Sequence, residues 1–294
     1  MKKNHHTKFL AAVEGALTNS PGQNVYLLLD QAGISGVARE LRKYSMPQVR
    51  LFDGTKDHAA AGVGPVLVLI AESGTRIASR NLFLWLAKHA GDTSSVTLIV
   101  SPLAIDIIQI RLSARLKIKL SEEMDAIFRF YDPRVLAALI TIFDAVEKEI
   151  FLGLASCWIY PNRSGDFEVL MTTFRIDDDF KKQLTLNAQQ EFGFLMASEI
   201  DQVLDLIRTV LPIKMAEFSM SEQYHMVKKW MGKAQLAGIE SILGYAIFAG
   251  MFIKGGSKTA NSPVVAEVIK ELRSENGDIS KLNDLIDSVF LEEK

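Results

Sequence analysis

The chain is poor in the residues that usually announce chemistry. Its 294 residues include a single cysteine, Cys157, which excludes an internal disulfide and any site built on several thiolates. Cys157 lies in the apolar run Leu154–Ile159 and reads as a buried thiol, in keeping with a reducing cytoplasm. Neither sign of charge dominates: 33 Lys and Arg stand against 35 Asp and Glu, for a formal net charge of −2. No global field therefore draws the chain to nucleic acid or acidic lipid. Long hydrophobic runs are missing as well. The most apolar stretch, Leu236–Ile253, contains Glu240 and three glycines, and its uninterrupted part falls short of the ~20 residues of a spanning helix. A buried core helix is predicted there, and membrane insertion is not. Near the N-terminus, Phe9–Val13 is too short for the apolar centre of a signal peptide, and Glu14 ends the run. His5 and His6, on a charged terminus, read as disordered.

Catalytic patterns are equally scarce. His58, His89 and His225 stand apart from the cysteine and show no metal-ligand spacing, so no metal and no cofactor is implied. The carboxylates Glu122, Glu123 and Asp125 read as a solvated loop. Gly33-Ile34-Ser35-Gly36 follows a strand candidate but matches neither a nucleophile elbow nor a dinucleotide or phosphate loop. Gly250–Thr259 contains Lys258 and Thr259, yet follows a helix where a phosphate loop would follow a strand. The expectation is a protein that is not an enzyme. The alternative is a small-ligand or phosphate-handling α/β enzyme, with its site at strand ends near Gly33–Gly36.

What is present is pattern. Asn24–Asp30, Val66–Ile70 and Ser95–Val100 are dense apolar strand candidates, as expected where both faces of a sheet are covered. Helices are predicted between them, from Gln31–Gly36 onward with Ile34, Val37, Leu41 and Tyr44 inward, and from Ser79 through His89. Ser101-Pro102 reads as a cap and first turn opening another helix. Ser156–Tyr160 and Phe167–Thr172 flank PNRSGD, a hairpin turn. Three consecutive aspartates, Asp177 to Asp179, mark a boundary, and no later segment reads as a strand. Helices are predicted over Phe180–Leu211, Met220–Ala237 (stopped by Gly238), Glu240–Ile253, Pro263–Arg273 and Ile279–Leu291. The fold class is therefore α/β, a mixed sheet with flanking helices over 1–176, followed by an all-α region over 177–294.

The densest signal is Ala126–Leu136, AIFRFYDPRVL. Phe128 and Phe130 alternate with Arg129 and Tyr131, the period of a half-buried strand. Asp132 then suits a helix N-cap, and Pro133 suits the first helical position. Leu136, Leu139, Ile140, Phe143 and Val146 follow at helical spacing. Arg129 and Arg134 flank the junction, and a local ion pair with Asp132 is expected in preference to anion binding.

As a string, FRFYDPRVL resembles the hallmark of a bacterial family first catalogued as a domain of unknown function and associated with the type VI secretion system. Its members act as adaptors or chaperones for secreted effectors. Arg129, Phe130, Tyr131, Asp132, Pro133 and Arg134 carry the resemblance, and Gly64-Pro65 before a hydrophobic strand agrees with it. The resemblance implies a cytoplasmic adaptor whose partners are a secreted effector and a spike of valine-glycine repeat and proline-alanine-alanine-arginine repeat proteins. Among the helices, Trp230, with Lys228, Lys229 and Lys233 around it, is the candidate anchor for a partner. Phe218 and Met226 join it as candidate contacts on amphipathic helices, where methionines let a surface adapt.

Overall fold

The strand expected over Asn24–Asp30 forms with those bounds as β1, and the main sheet is assembled around it. The structure, a computed structural model, describes residues 2–90, 95–178, 180, 184–256 and 263–273. Two compact units divide between Phe194 and Leu195, later in the chain than the aspartate run.

In the first unit, α1 (Lys2–Asn19) precedes β1, and α2 (Val37–Lys43) leads to β2 (Gln48–Arg50) and β3 (Pro65–Glu72). A short β4 (Thr75–Arg76), α3 (Arg80–Ala90), β5 (Val96–Ser101) and α4 (Ile105–Ala114) follow. Next come β6 (Lys117–Lys119), β7 (Asp125–Ile127), α5 (Pro133–Ile142), α6 (Ala145–Leu152) and the hairpin of β8 (Cys157–Pro161) and β9 (Phe167–Met171). The main sheet has the order β2-β3-β1-β5-β8-β9, with β4 beside β3, and each of these pairings is antiparallel. A smaller sheet joins β6 to β7 antiparallel and to β10 (Leu184–Thr185) parallel.

Alternation along β1 sends Val25, Leu27 and Leu29 to one face and Tyr26 and Leu28 to the other. The first set packs with Phe9, Val13, Leu82, Phe83 and Leu86 of α1 and α3. The second packs with Ile108, Leu112, Leu136, Leu139 and Phe151 of α4, α5 and α6. Both faces are covered, which is why these strands read as continuous apolar runs.

The second unit is helical: the later part of α7 (Ala188–Val210), then α8 (Pro212–Ala216), α9 (Met220–Leu236), α10 (Ile242–Gly255) and α11 (Pro263–Leu272). Ser219 and Glu222 form a reciprocal capping box at the start of α9, and Gly238, at φ +76°, takes the left-handed turn that ends it. The helix expected from Leu236–Ile253 is buried from Gly244 through Ile253. Among the described residues no helix is long and apolar enough to cross a membrane.

Several local expectations are corrected. His5 and His6 lie within α1, because Phe9, Val13 and Ala16 at helical spacing anchor that helix in the core. Phe128–Tyr131 is not a strand: the Asp132 N–H donates to the Arg129 carbonyl at 2.9 Å, closing a turn after β7. The helix after the signature breaks at Phe143, where Asp144 and Glu147 build a capping box and start α6, leaving Val146 exposed. Ser101 does not open a helix; it is the last residue of β5, and its hydroxyl donates to the Leu154 carbonyl at 2.7 Å. Leu184–Thr185 is a strand where only helix was expected. Ile279–Leu291, Asp179, Lys258 and Thr259 lie outside the described residues.

Candidate functional site

Asp30 ends β1, and two distant motifs meet at it. Its Oδ1 accepts from the Ala32 N–H at 3.1 Å, opening a short 3-10 turn over Gln31–Gly33. Its Oδ2 accepts from Arg129 Nη2 at 3.0 Å. Across the sheet Asp30 stands opposite Pro65, the first residue of β3. The adjacent Gln31 donates from Nε2 to the Gly64 carbonyl at 2.8 Å. Gly64 has no room for a side chain, since a Cβ there would strike the Phe52 ring. Proline at the strand entrance sacrifices no interior ladder bond. Gly64-Pro65 and the arginine of the signature are thus held to the same corner by Asp30 and Gln31. Neither of those two residues stands out in the sequence beyond closing an apolar strand.

Asp132 caps α5 as expected: its Oδ1 accepts from the Arg134 N–H at 2.9 Å, and Pro133 follows at the first position. The Arg134 guanidinium grips the same carboxylate, with Nε 3.1 Å from Oδ1 and Nη2 2.7 Å from Oδ2. The local ion pair is therefore Asp132–Arg134, while Arg129 reaches Asp30. Phe130 is fully buried and meets Phe151 edge-on at 5.4 Å between centroids. Tyr131 is buried beside Arg129, whose guanidinium carbon lies 5.6 Å from the ring centroid. Burial pushes the Tyr131 phenol above its ordinary pKa, with Arg129 pulling the other way. Of the six signature residues, the arginines reach solvent most, Arg129 with 53% of its side chain exposed and Arg134 with 34%.

A second constellation was not anticipated. Arg115 is 0% exposed, and all five of its N–H groups are used. Nε donates to the Phe151 carbonyl at 2.7 Å, and Nη1 to the Arg111 carbonyl at 2.8 Å and to Asp178 Oδ2 at 2.9 Å. Nη2 donates to the Ile150 carbonyl at 2.9 Å and to Asp178 Oδ1 at 2.8 Å. The guanidinium also lies over the Phe180 ring at 4.5 Å. Burial alone would raise the pKa of Asp178, but the hydrogen bond and charge of Arg115 outweigh it and hold the carboxyl below its usual range. The sequence signal was available: Ile108, Leu112 and Arg115 fall on one helical stripe, so an arginine sits where the core requires an apolar residue.

The candidate partner contacts lie in the helical unit. Trp230 is half-buried, stacked on Phe252 at 4.1 Å between centroids, with Lys233 Nζ 4.6 Å from its own ring centre. Met226, one turn earlier on α9, and Phe218, ahead of that helix, are also half-buried. Among the described residues, the large apolar side chains of that unit that are more than half exposed are Leu195, Val210, Ile213, Leu236 and Leu243. Phe194, by contrast, packs edge-on against Phe128 and Phe143 in the first unit's core.

The glycines after β1 have packing roles. A Cβ on Gly33 would collide with Ser95 Oγ, and Gly36, at φ +79°, is the N-cap residue of α2. His58 lies 3.3 Å from Asp53, and the Nδ1 atoms of His89 and His225 face the carbonyls of Trp85 and Ser221. Glu123 and Asp125 pair with Lys119 and Lys56 at the surface. Among the described residues no group of His, Cys, Asp or Glu is placed to hold a metal ion.

Residues 25–149 match the model of a domain of unknown function, DUF4123. The match spans Asp30, Gly64-Pro65, Arg115 and the whole signature. No curated protein matches the chain, and neither does any solved structure.

Proposed function

We propose that this chain is a cytoplasmic adaptor or chaperone of type VI secretion, which binds a cognate effector and promotes its loading onto the spike of valine-glycine repeat and proline-alanine-alanine-arginine repeat proteins. It works by stoichiometric binding, without turnover. The observation that carries the reading is the match of residues 25–149 to DUF4123, which encloses both motifs of the resemblance. The geometry supports a scaffold role for those motifs, because Asp132 is occupied by Arg134 and Arg129 by Asp30. Polar side chains so engaged are held in place for architecture, and the partner surface then falls on other residues.

The helical unit supplies that surface. Val210 (61%), Ile213 (84%), Leu236 (90%) and Leu243 (57%) expose large apolar side chains. Exposed apolar side chains on amphipathic helices are the groups through which such helices engage a partner segment. Trp230 is braced from one side by Phe252, which suits a rigid anchor.

Co-expression with candidate effector and spike proteins from the same genome tests the reading. The chain should co-purify with the effector in fixed ratio and raise its yield. Ile213→Asp and Leu236→Asp should each weaken capture while leaving the melting temperature within a degree or two, since exposed substitutions change stability by ~0.5 kcal/mol or less. Absence of capture, or nucleotide turnover lost on Gly36→Val, would overturn it.

A further inference from the structure

The two edges of the main sheet are built differently. Edge strand β2 is three residues long and follows Pro47, and side chains of α4 reach its end: Gln109 Nε2 lies 3.5 Å from the Arg50 carbonyl, and Ser113 Oγ donates at 2.7 Å to the carbonyl of Leu51, the residue after the strand. Short length, proline and coverage are the usual protections against stray pairing. Edge strand β9 has none of these among the described residues. It runs five residues, FEVLM, with Val169 63% and Met171 71% exposed.

The backbone of β9 has a definite polarity. At its two ends the Thr172 N–H donates to Ser156 at 3.0 Å and the Asn162 N–H donates to Asp166 at 2.8 Å. Ladder bonds alternate in an antiparallel pair, so residues 166, 168, 170 and 172 turn their backbone groups toward β8. Phe167, Val169 and Met171 turn theirs outward, and no described residue bonds them.

Beside this edge, on the face carrying Val169 and Met171, a trough of about 510 Å³ lies between the hairpin and α1. The α1 wall is made of small residues, Ala11, Ala12 and Gly15. The charged side chains lining it, Lys8 and Asp166, are bonded to each other at 2.7 Å. On that face the charges are paired, and Glu168 of β9 projects from the opposite face.

We propose that β9 is the contact through which two copies of this chain pair, antiparallel about a two-fold axis at Val169, so that their sheets become continuous. The inference concerns self-association and does not rest on the adaptor reading. In this register the exposed Val169 faces its own counterpart and the exposed Met171 faces Phe167, which is half-buried against Phe9. The outward N–H and C=O groups of the three residues satisfy one another. Charge is compatible too. Glu168 falls opposite Leu170 and Asp166 opposite Thr172, so no two carboxylates are directly opposed, and the two Glu168 side chains are diagonal neighbours across the axis. Glu168 is moreover held to its own sheet by the Tyr160 hydroxyl at 3.1 Å and Asn162 Nδ2 at 3.0 Å. The outward backbone groups of Phe167, Val169 and Met171 and the apolar side chains of that face all find partners in a second β9, and a second copy is the occupant that fits. Such an isologous contact closes at two copies.

Sedimentation equilibrium of the full chain over a concentration series tests the proposal. The expected result is a species of twice the chain's mass that returns to one chain's mass in Val169→Lys, where two ammonium groups would oppose each other on the axis. Val169→Cys should cross-link to itself on mild oxidation. Opposed residues of a hydrogen-bonded antiparallel pair have Cα atoms about 5.5 Å apart, within disulfide reach. Leu170→Cys, off the axis and on the other face, should not cross-link. Should Val169→Lys fail to fold by circular dichroism, the cysteine pair decides alone. A wild-type chain of single mass at every concentration, a dimer that survives Val169→Lys, or equal cross-linking at both cysteines would overturn the proposal.

Discussion

Asp132 and Asp178 are both carboxylates held by an arginine, and burial of the arginine separates the consequences of losing them. Arg134 keeps contact with water, so Asp132→Ala strands no buried charge. It removes the cap of α5 and the Arg134 grip, and it should lower stability by ~1–2 kcal/mol in thermal melts. An unchanged melting midpoint with lost effector capture would move the signature from scaffold to interface. Arg115 is wholly buried, so Asp178→Asn leaves a guanidinium without its counter-charge. A loss of ~3–5 kcal/mol is expected. The pH dependence has a definite sign. The Asp178 carboxyl is held below its ordinary value of 3.8 in the folded chain, so its stabilisation is complete above that value. It is lost as pH falls from there through the lowered folded value. Urea unfolding at neutral pH and near pH ~3 should therefore show the gap between wild type and Asp178→Asn narrowing in acid. A gap that stays constant or widens would remove the ion pair from the account.

At the level of elements, what the sequence revealed depended on how local the signal was. The bounds of β1, the Asn162–Asp166 hairpin turn, the Asp132-Pro133 start of α5 and the Gly238 stop of α9 each rest on a few adjacent residues, and each was legible. The strand reading of Phe128–Tyr131 failed because a turn can also bury alternate residues: the Phe128 N–H still donates to the Leu116 carbonyl at 2.7 Å, but pairing ends there, and Phe130 faces the core from within the turn. The break at Phe143 was legible and missed, since Asp144 and Glu147 have capping-box spacing. Asp144→Ala should accordingly destabilise by ~1 kcal/mol in urea titrations, whereas Val146→Ala, two residues on and 64% exposed, should change little. Equal effects would mean that the break is set by packing alone. The burial of Arg115 was legible from its stripe with Ile108 and Leu112, but the pairings Asp30–Arg129 and Arg115–Asp178 lay beyond a sequence reading. Each joins residues brought together by the order of strands and the path of the chain after β9, neither of which periodicity encodes.

For the whole molecule, the question is where the first unit can be cut. The chain between the aspartate run and Phe194 contributes to that unit at many points. Asp178 closes the ion pair with Arg115, and Phe180 meets Phe151 edge-on at 5.7 Å. Leu184 pairs with Ile118, and Leu186 is buried in the core behind the signature. Gln190 Nε2 donates to the Glu147 carboxylate at 2.9 Å, and Glu191 accepts from the Ser121 N–H. Phe194 completes the phenylalanine cluster with Phe128 at 5.3 Å. A fragment of residues 1–176 leaves Arg115 buried without a counter-charge and uncovers several aromatic faces. Losing that ion-pair partner alone costs ~3–5 kcal/mol, a large share of a domain's ~5–15 kcal/mol. A fragment of residues 1–194 keeps all of these contacts. It should melt cooperatively with a native near-ultraviolet circular dichroism signal, whereas 1–176 should bind a hydrophobic dye and lose that signal. If 1–176 melts as sharply and as high as 1–194, the residues from Asp178 to Phe194 are an appendage and the scaffold ends earlier. The longer fragment is also the proper one for locating the effector contact. With the exposed side chains of Val210, Ile213, Leu236 and Leu243 removed, it should capture the effector far more weakly than the full chain. Full retention of capture by folded 1–194 would place the contact on the sheet-bearing unit.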